Sequence, residues 1–162
     1  MPADADEVAG VHVRSWQVGY EGLMPQDYLD RLRPEDRAAR YSFGDHGSGG
    51  PSTIVAVTHG SICGFATTAP ARDDAGRWCG ELCALHVDPP SWGGGVGRTL
   101  VAAARECLHG GGFTEVVAWV LVGNGRAERF YRTDGWMPDG DRRVTTVWGA
   151  AVDELRYRRS LP

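Results

Sequence analysis

The stretch ELCALHVDPPSWGGGVGRTLVAAA, residues 81–104, decides how this chain is read. It opens on a short, almost wholly apolar run, ELCALHV, of the kind that forms a central strand buried on both faces. Asp88-Pro89-Pro90 ends that run. Glycine then stands at 93, 94, 95 and 97. Val96, Leu100, Val101 and Ala104 follow at helical spacing, which predicts a helix over about residues 96–108. A strand, a glycine-rich turn and a helix start together make a cradle for an anion. Glycine lets successive backbone N–H groups converge, and the helix adds its free N–H groups and positive dipole end. Arg98 adds a side-chain charge. Two common phosphate loops are excluded by spacing. G-x-G-x-x-G counted from Gly93 meets Arg98, and counted from Gly95 meets Leu100. G-x-x-x-x-G-K-[ST] ending on Gly97 would need glycine where Trp92 stands.

Working outward, residues 4–20 read as a helix with Asp4 or Asp6 as its cap. His12, Trp16 and Tyr20 fall four apart and share one face of it. Pro25 opens a short helix, Pro34 breaks it, and a further turn runs towards Arg40. GDHGSGGPS is a loop. IVAVTHGSICGFATTA reads as two strands turning at His59-Gly60. PARDDAGRW is a second loop before ELCALHV. Beyond the helix stopped by Gly110, Gly111 and Gly112, EVVAWVLV is a strand and NGRAERFYRTDGW a helix. RVTTVWGA and VDELRYRR close the chain as paired strands, with RYRRS a solvated strand or tail. The order α-α-β-β-β-α-β-α-β-β is a single α/β domain over 1–162, one mixed sheet with helices on its faces.

Composition narrows the function. With 162 residues, 42% of them hydrophobic, the chain can bury a core. A net charge of −4 disfavours a general nucleic-acid binder, and no apolar run is long enough to span a membrane. The acidic start MPADADEVAG is no signal peptide. Cys63, Cys79, Cys83 and Cys107 include no Cys-x-x-Cys pair, so reduced, mostly buried thiols in a cytoplasmic protein without a metal site are expected.

Two motifs carry a resemblance. Gly95-Val96-Gly97 matches the end of a [QR]-x-x-G-x-[GA] loop, with Trp92 in place of the usual Gln or Arg. Asn124, Ala127, Phe130, Tyr131, Gly135 and Trp136 meet N-x-x-A-x-x-F-Y-x-x-x-G-[FW]. In that order they resemble the GNAT superfamily of acyl-CoA-dependent N-acyltransferases, and VHVRSWQVGYEGLMP is similar to its substrate-side segment. The resemblance implies a sheet whose fourth and fifth strands splay apart with pantetheine between them. Its amides would pair near Leu85, His86 and Val87. The pyrophosphate would rest on Trp92, Gly93, Gly94, Gly95, Val96, Gly97 and Arg98, with Asn124, Ala127 and Tyr131 completing the donor site. An amine would attack acetyl-CoA directly, with the Val87 N–H as oxyanion donor and Tyr131 protonating the leaving thiolate. Tyr131 as half of a buried Phe-Tyr pair is the structural alternative.

Glu81 is the base candidate, because a carboxylate in an apolar strand has its pKa raised by desolvation. Its alternative is a solvent-facing strand end. By alternation His86 points to the other face from Glu81, as a core histidine. Trp16, Tyr20 and Trp119, with Trp148 as a weaker candidate, would shape the acceptor pocket if they are not simply core. The family's usual first strand has no counterpart before the first helix, and the loop carries one basic side chain, Arg98. The reading is therefore transfer from acetyl-CoA to a small-molecule primary amine, with homodimers through the last strands. An acyl carrier protein's phosphopantetheine arm as donor and a non-catalytic acyl-CoA-binding module remain as alternatives.

Overall fold

The computed structural model describes residues 2–38, 50–72, 76–147 and 149–162. Helix α1, Pro2–Gly19, begins earlier than either expected cap, so Asp4 lies in its first turn beside the positive dipole end. Two short helices follow, α2 (Gln26–Asp30) and α3 (Pro34–Ala38). Pro34 does not only break a helix; it opens the next, where its fixed φ and missing N–H cost nothing. No strand precedes α1 among the described residues.

Strands β1 (Ser52–Thr58) and β2 (Ser61–Pro70) form the expected hairpin. Its two-residue turn has positive φ at both His59 and Gly60, the conformation that matches strand twist. The chain continues as β3 (Cys79–Val87), α4 (Val96–Gly110), β4 (Glu115–Leu121), α5 (Gly125–Thr133), β5 (Met137–Val147) and β6 (Ala150–Ser160). The six strands lie in the order β1-β2-β3-β4-β6-β5. All neighbours are antiparallel except β3 and β4.

That one parallel seam positions the site. β3 and β4 pair only from Cys79–Glu81 to Glu115–Val117, at their starts. Beyond it they part. On its other edge β3 carries a bulge: Thr68 pairs with Leu82 but Thr67 with Ala84, so Cys83 is the extra residue. A bulge bends its strand and raises local twist, which carries the end of β3 away from β4. This corrects two expectations. β3 is not buried on both faces, since from Cys83 onward it is exposed or half-buried along the gap. His86 and Glu81 also do not point to opposite faces. They pair with Phe65 and Ala69, which are on one face of β2, because the extra residue resets the alternation.

Helices α4 and α5 cover one face. Leu100, Val101, Ala104 and Leu108 pack there with Val116, Ala118, Val120, Tyr131, Trp136 and Tyr157. α1 and α2 cover the other face, through Val8 and Val11 on Phe65, and through Trp16 and Leu29 near Val152. Ion pairs and hydrogen bonds lock the helices down. Glu7 accepts the Ile62 N–H at 2.8 Å, and Arg14 grips Asp88 with two bonds of 2.8 Å at the end of β3. Asp134, just past α5, takes Arg159 at 2.9 Å and the Trp136 indole at 2.8 Å.

The basic end is not a solvated tail. β6 inserts between β4 and β5, which buries Tyr157 completely and leaves Arg156 almost so, paired with Asp139 at 2.7 Å and with Asp141. The thiols are likewise not mostly buried: Cys63 and Cys79 are, Cys83 and Cys107 are exposed.

Candidate functional site

The gap between β3 and β4 opens into a cavity of about 820 Å³. Of the residues singled out in the sequence, Leu85, His86, Val87, Trp92, Gly93, Gly95, Gly97, Arg98, Asn124, Ala127, Tyr131, Trp16, Tyr20 and Trp119 line it. Glu81, Gly94 and Val96 do not. Val96 instead packs into the core beneath α4. Glu81 lies in the closed base of the sheet, opposite Val117, half-buried. Trp148 is outside the described residues.

One wall is built largely of backbone. After β3, a 3-10 turn (Pro89–Ser91) leads into the glycines, and Gly95 caps α4 at φ 85°. Gly93 also has positive φ, 78°. No side chain caps α4, so its first N–H groups stay available. Trp92, at the position expected to be polar, turns its indole inward and donates to the Val87 carbonyl at 2.7 Å. Asn124 caps α5, accepting the Ala127 N–H at 3.1 Å, which explains the Asn-x-x-Ala spacing as a helix start.

This wall is more basic than the sequence reading allowed. Arg98 is joined by Arg126 and Arg129 from the first turns of α5. None of the three has an ion pair among the described residues. Arg126 lies over the Trp92 ring, 3.3 Å from its centroid, and burial weakens its hold on its proton. Helical spacing from Asn124 was the signal that would have added Arg126 and Arg129: the cap fixes which turn faces the glycines.

The opposite wall is aromatic and comes from the α1 side. Trp16 and Tyr20 meet edge to face with centroids 4.7 Å apart. His12 stacks against His86 at 4.3 Å, and the Ser15 hydroxyl lies 3.0 Å from His86 Nδ1. Burial lowers both imidazole pKa values, that of His86 to about 4, so both rings are neutral near pH 7. Trp119 from β4 is stacked by Arg143 from β5 at 4.1 Å, and Arg143 bonds Glu154 of β6 at 2.8 Å. Arg143 and Glu154 escaped sequence reading because they face each other only through the β5–β6 register.

Tyr131 stands where the walls meet. Its ring is buried, 5.2 Å from that of Trp136 and 6.0 Å from that of Tyr157, yet the residue lines the cavity. The two sequence readings of Tyr131 are therefore not exclusive. Burial, helped by the nearby Tyr20 and Asp134, pushes its phenol well above the usual range, so it is protonated and able to donate at neutral pH. Burial and the Glu154 carboxylate push the Tyr20 phenol up to about 12.

Comparison with known proteins agrees with this geometry. The family model described as Acetyltransferase (GNAT) family matches residues 14–136. The uncharacterized N-acetyltransferase YuaI of Bacillus subtilis is 32% identical over 124 residues, 75% of this chain and 68% of that protein. Mycothiol acetyltransferase of Amycolatopsis mediterranei is 28% identical over 139 residues, 82% of this chain but 42% of its own length. Among solved structures, the PaiA N-acetyltransferase of Thermoplasma acidophilum, crystallised with coenzyme A, superposes with a TM-score of 0.74 over 98% of this chain and 94% of that one, at 17% identity. A mixed sheet splayed at its parallel seam, a glycine-capped helix at the mouth of the split and a family match over most of the chain lead to one assignment: the chain belongs to the acetyltransferase (GNAT) family.

Proposed function

We propose that this protein transfers an acetyl group from acetyl-CoA to a primary amine of a small molecule, by direct attack of the amine on the thioester. The observation that carries the donor is the basic wall. Three guanidinium groups without carboxylate partners among the described residues converge on a glycine turn and a free helix N-terminus. Cations gathered along a cleft raise its local positive potential and draw an anion to it. A pyrophosphate with a further phosphate on the ribose suits three arginines better than the single phosphate of a carrier protein's arm.

The residues then divide the work. The edge of β3 near Leu85 and Val87, left without a β4 partner, aligns the pantetheine. The Val87 N–H faces the developing oxyanion. Tyr131 holds a proton and gives it to the departing thiolate sulphur. The acceptor approaches along the aromatic wall of Trp16, Tyr20 and Trp119. Its nitrogen must be neutral to attack, and Glu81, half-buried below the cavity without lining it, would take the proton through intervening water.

Titration calorimetry with acetyl-CoA, free CoA and acetyl-phosphopantetheine tests this reading. Tight binding of both nucleotides, much weakened when the nucleotide is removed, is the expected result. Equal binding of acetyl-phosphopantetheine would transfer the proposal to a carrier-protein donor. Donor binding without acetylation of any amine would leave a binding module.

A further inference from the structure

The acceptor wall contains one carboxylate, and half of it is unused. Glu154 sits on β6 among aromatic and aliphatic neighbours, with its side chain 14% exposed. An ionised carboxylate in such surroundings is costly unless its oxygens find partners. Arg143 satisfies Oε2 through Nε at 2.8 Å, with its guanidinium carbon 4.1 Å from the Trp119 ring centroid. Oε1 receives no hydrogen bond from any described residue, and Glu154 lines the cavity. Arg143 aside, the other titratable groups on this side carry no charge. His12 and His86 are neutral, and the Tyr20 phenol keeps its proton. The cavity is thus lined by Arg98, Arg126 and Arg129 at the donor end and by the Arg143–Glu154 pair, with one open carboxylate oxygen, at the acceptor end.

The register places that oxygen to one side of the chemistry. Glu154 pairs with Leu121 across the β4–β6 ladder, so it lies one strand beyond the strand that borders the split. Neighbouring strands are about 5 Å apart. The Glu154 backbone is therefore set off by about that much from the strand that borders the gap, beside a nitrogen reacting there. The reacting nitrogen has to be neutral, whereas a carboxylate holds a charged one. Resting on the transferase reading above, we propose that the acceptor is a diamine-class molecule whose second, unreacted ammonium is held by Glu154 Oε1. Arg143 is the positioning residue that fixes the carboxylate. A carboxylate at the same place on the acceptor would meet Oε1 as a like charge, offset only in part by Arg143, whose Nε already bonds Oε2.

Steady-state kinetics at saturating acetyl-CoA, with 1,4-diaminobutane, butylamine and 4-aminobutanoate as length-matched acceptors, tests this. A hydrogen-bonded charge pair of this kind gives kcat/KM about tenfold or more higher for the diamine than for butylamine, carried mainly by KM, with 4-aminobutanoate the poorest. Glu154→Gln shrinks the diamine-to-butylamine ratio towards one, and Glu154→Asp keeps part of it. A thermal melt of each variant checks folding, and if Glu154→Gln fails to fold, the ratio in Glu154→Asp decides. Butylamine matching the diamine in the wild type overturns the inference, as does a ratio that survives in the variants. So does failure to acetylate the diamine by protein that binds acetyl-CoA in the calorimeter. Failure to bind acetyl-CoA at all would instead bring down the transferase reading.

Discussion

The two walls of the cavity are built on different principles. The wall proposed for the donor uses backbone: glycines, helix starts and the unpaired edge of β3, with three arginines added. The wall proposed for the acceptor uses side chains from α1, β4, β5 and β6, held by packing. A backbone site is written in consecutive residues of one segment. A side-chain site is assembled from distant elements, and each position can change alone. One wall thus suits a constant donor and the other a variable acceptor.

Four expectations probe this division, and the largest lies where the walls meet. Tyr131→Phe should lower kcat by about a hundredfold, the scale of a lost general acid, with acetyl-CoA affinity little changed. Stopped-assay rates together with calorimetry separate the two. With the phenol held protonated above its usual range, the wild-type rate should show no decline from Tyr131 ionisation between pH 7 and 10. An equal loss in donor affinity would mean that Tyr131 belongs to the donor wall alone.

On the donor side, Arg126→Ala combined with Arg129→Ala should weaken acetyl-CoA binding about tenfold or more and flatten its salt dependence. The acceptor KM should move far less. Parallel losses in both would erase the contrast between the walls.

Acidification tests the acceptor side. His86 is neutral when folded, with a pKa near 4 against an ordinary 6.5. Below pH 6.5 the unfolded chain takes up a proton that the folded one refuses. Stability is therefore complete above about pH 6.5 and lost as pH falls towards 4, by at most about 1.4 kcal/mol per unit from this group. His12, shifted the same way by burial, adds to the slope. Urea unfolding at pH 7.5 and 5.0 measures it, and His86→Asn should reduce it. A flat profile would show that the pair is not packed as described.

The smallest effect is at the helix cap. Gly95→Ala meets no atom within 4 Å, so its cost is conformational, about 1–2 kcal/mol for a side chain at φ 85°. A denaturation midpoint that does not move would mean the turn adopts another conformation.

The same contrast explains what could be read in advance. The hairpin at His59-Gly60, the helix after the glycines and the capped helix at Asn124 were legible because turn chemistry and helical spacing are local. Arg126 and Arg129 were within reach by the same logic. Strict alternation breaks at β3, where one inserted residue, Cys83, brings His86 and Glu81 to one face. A bulge is set by how a strand meets its neighbour and leaves no periodic trace. RYRRS read as a solvated strand or tail because its charges suggested solvent, yet in strand β6 Asp139 and Asp141 arrive from another strand to pair with Arg156.

The sequence by itself determined the family, the order of elements and the backbone cradle, since each rests on residues a few positions apart. Only the tertiary structure decided how far the split opens, which cations join Arg98 and which carboxylate lines the cavity beside Trp119. Those depend on strand register and on a bulge, and they bring together residues as distant as Tyr20, Trp119, Arg143 and Glu154. Local physics fixes where a strand or a helix starts; the meeting of side chains across a sheet is fixed only when the whole sheet closes around its core.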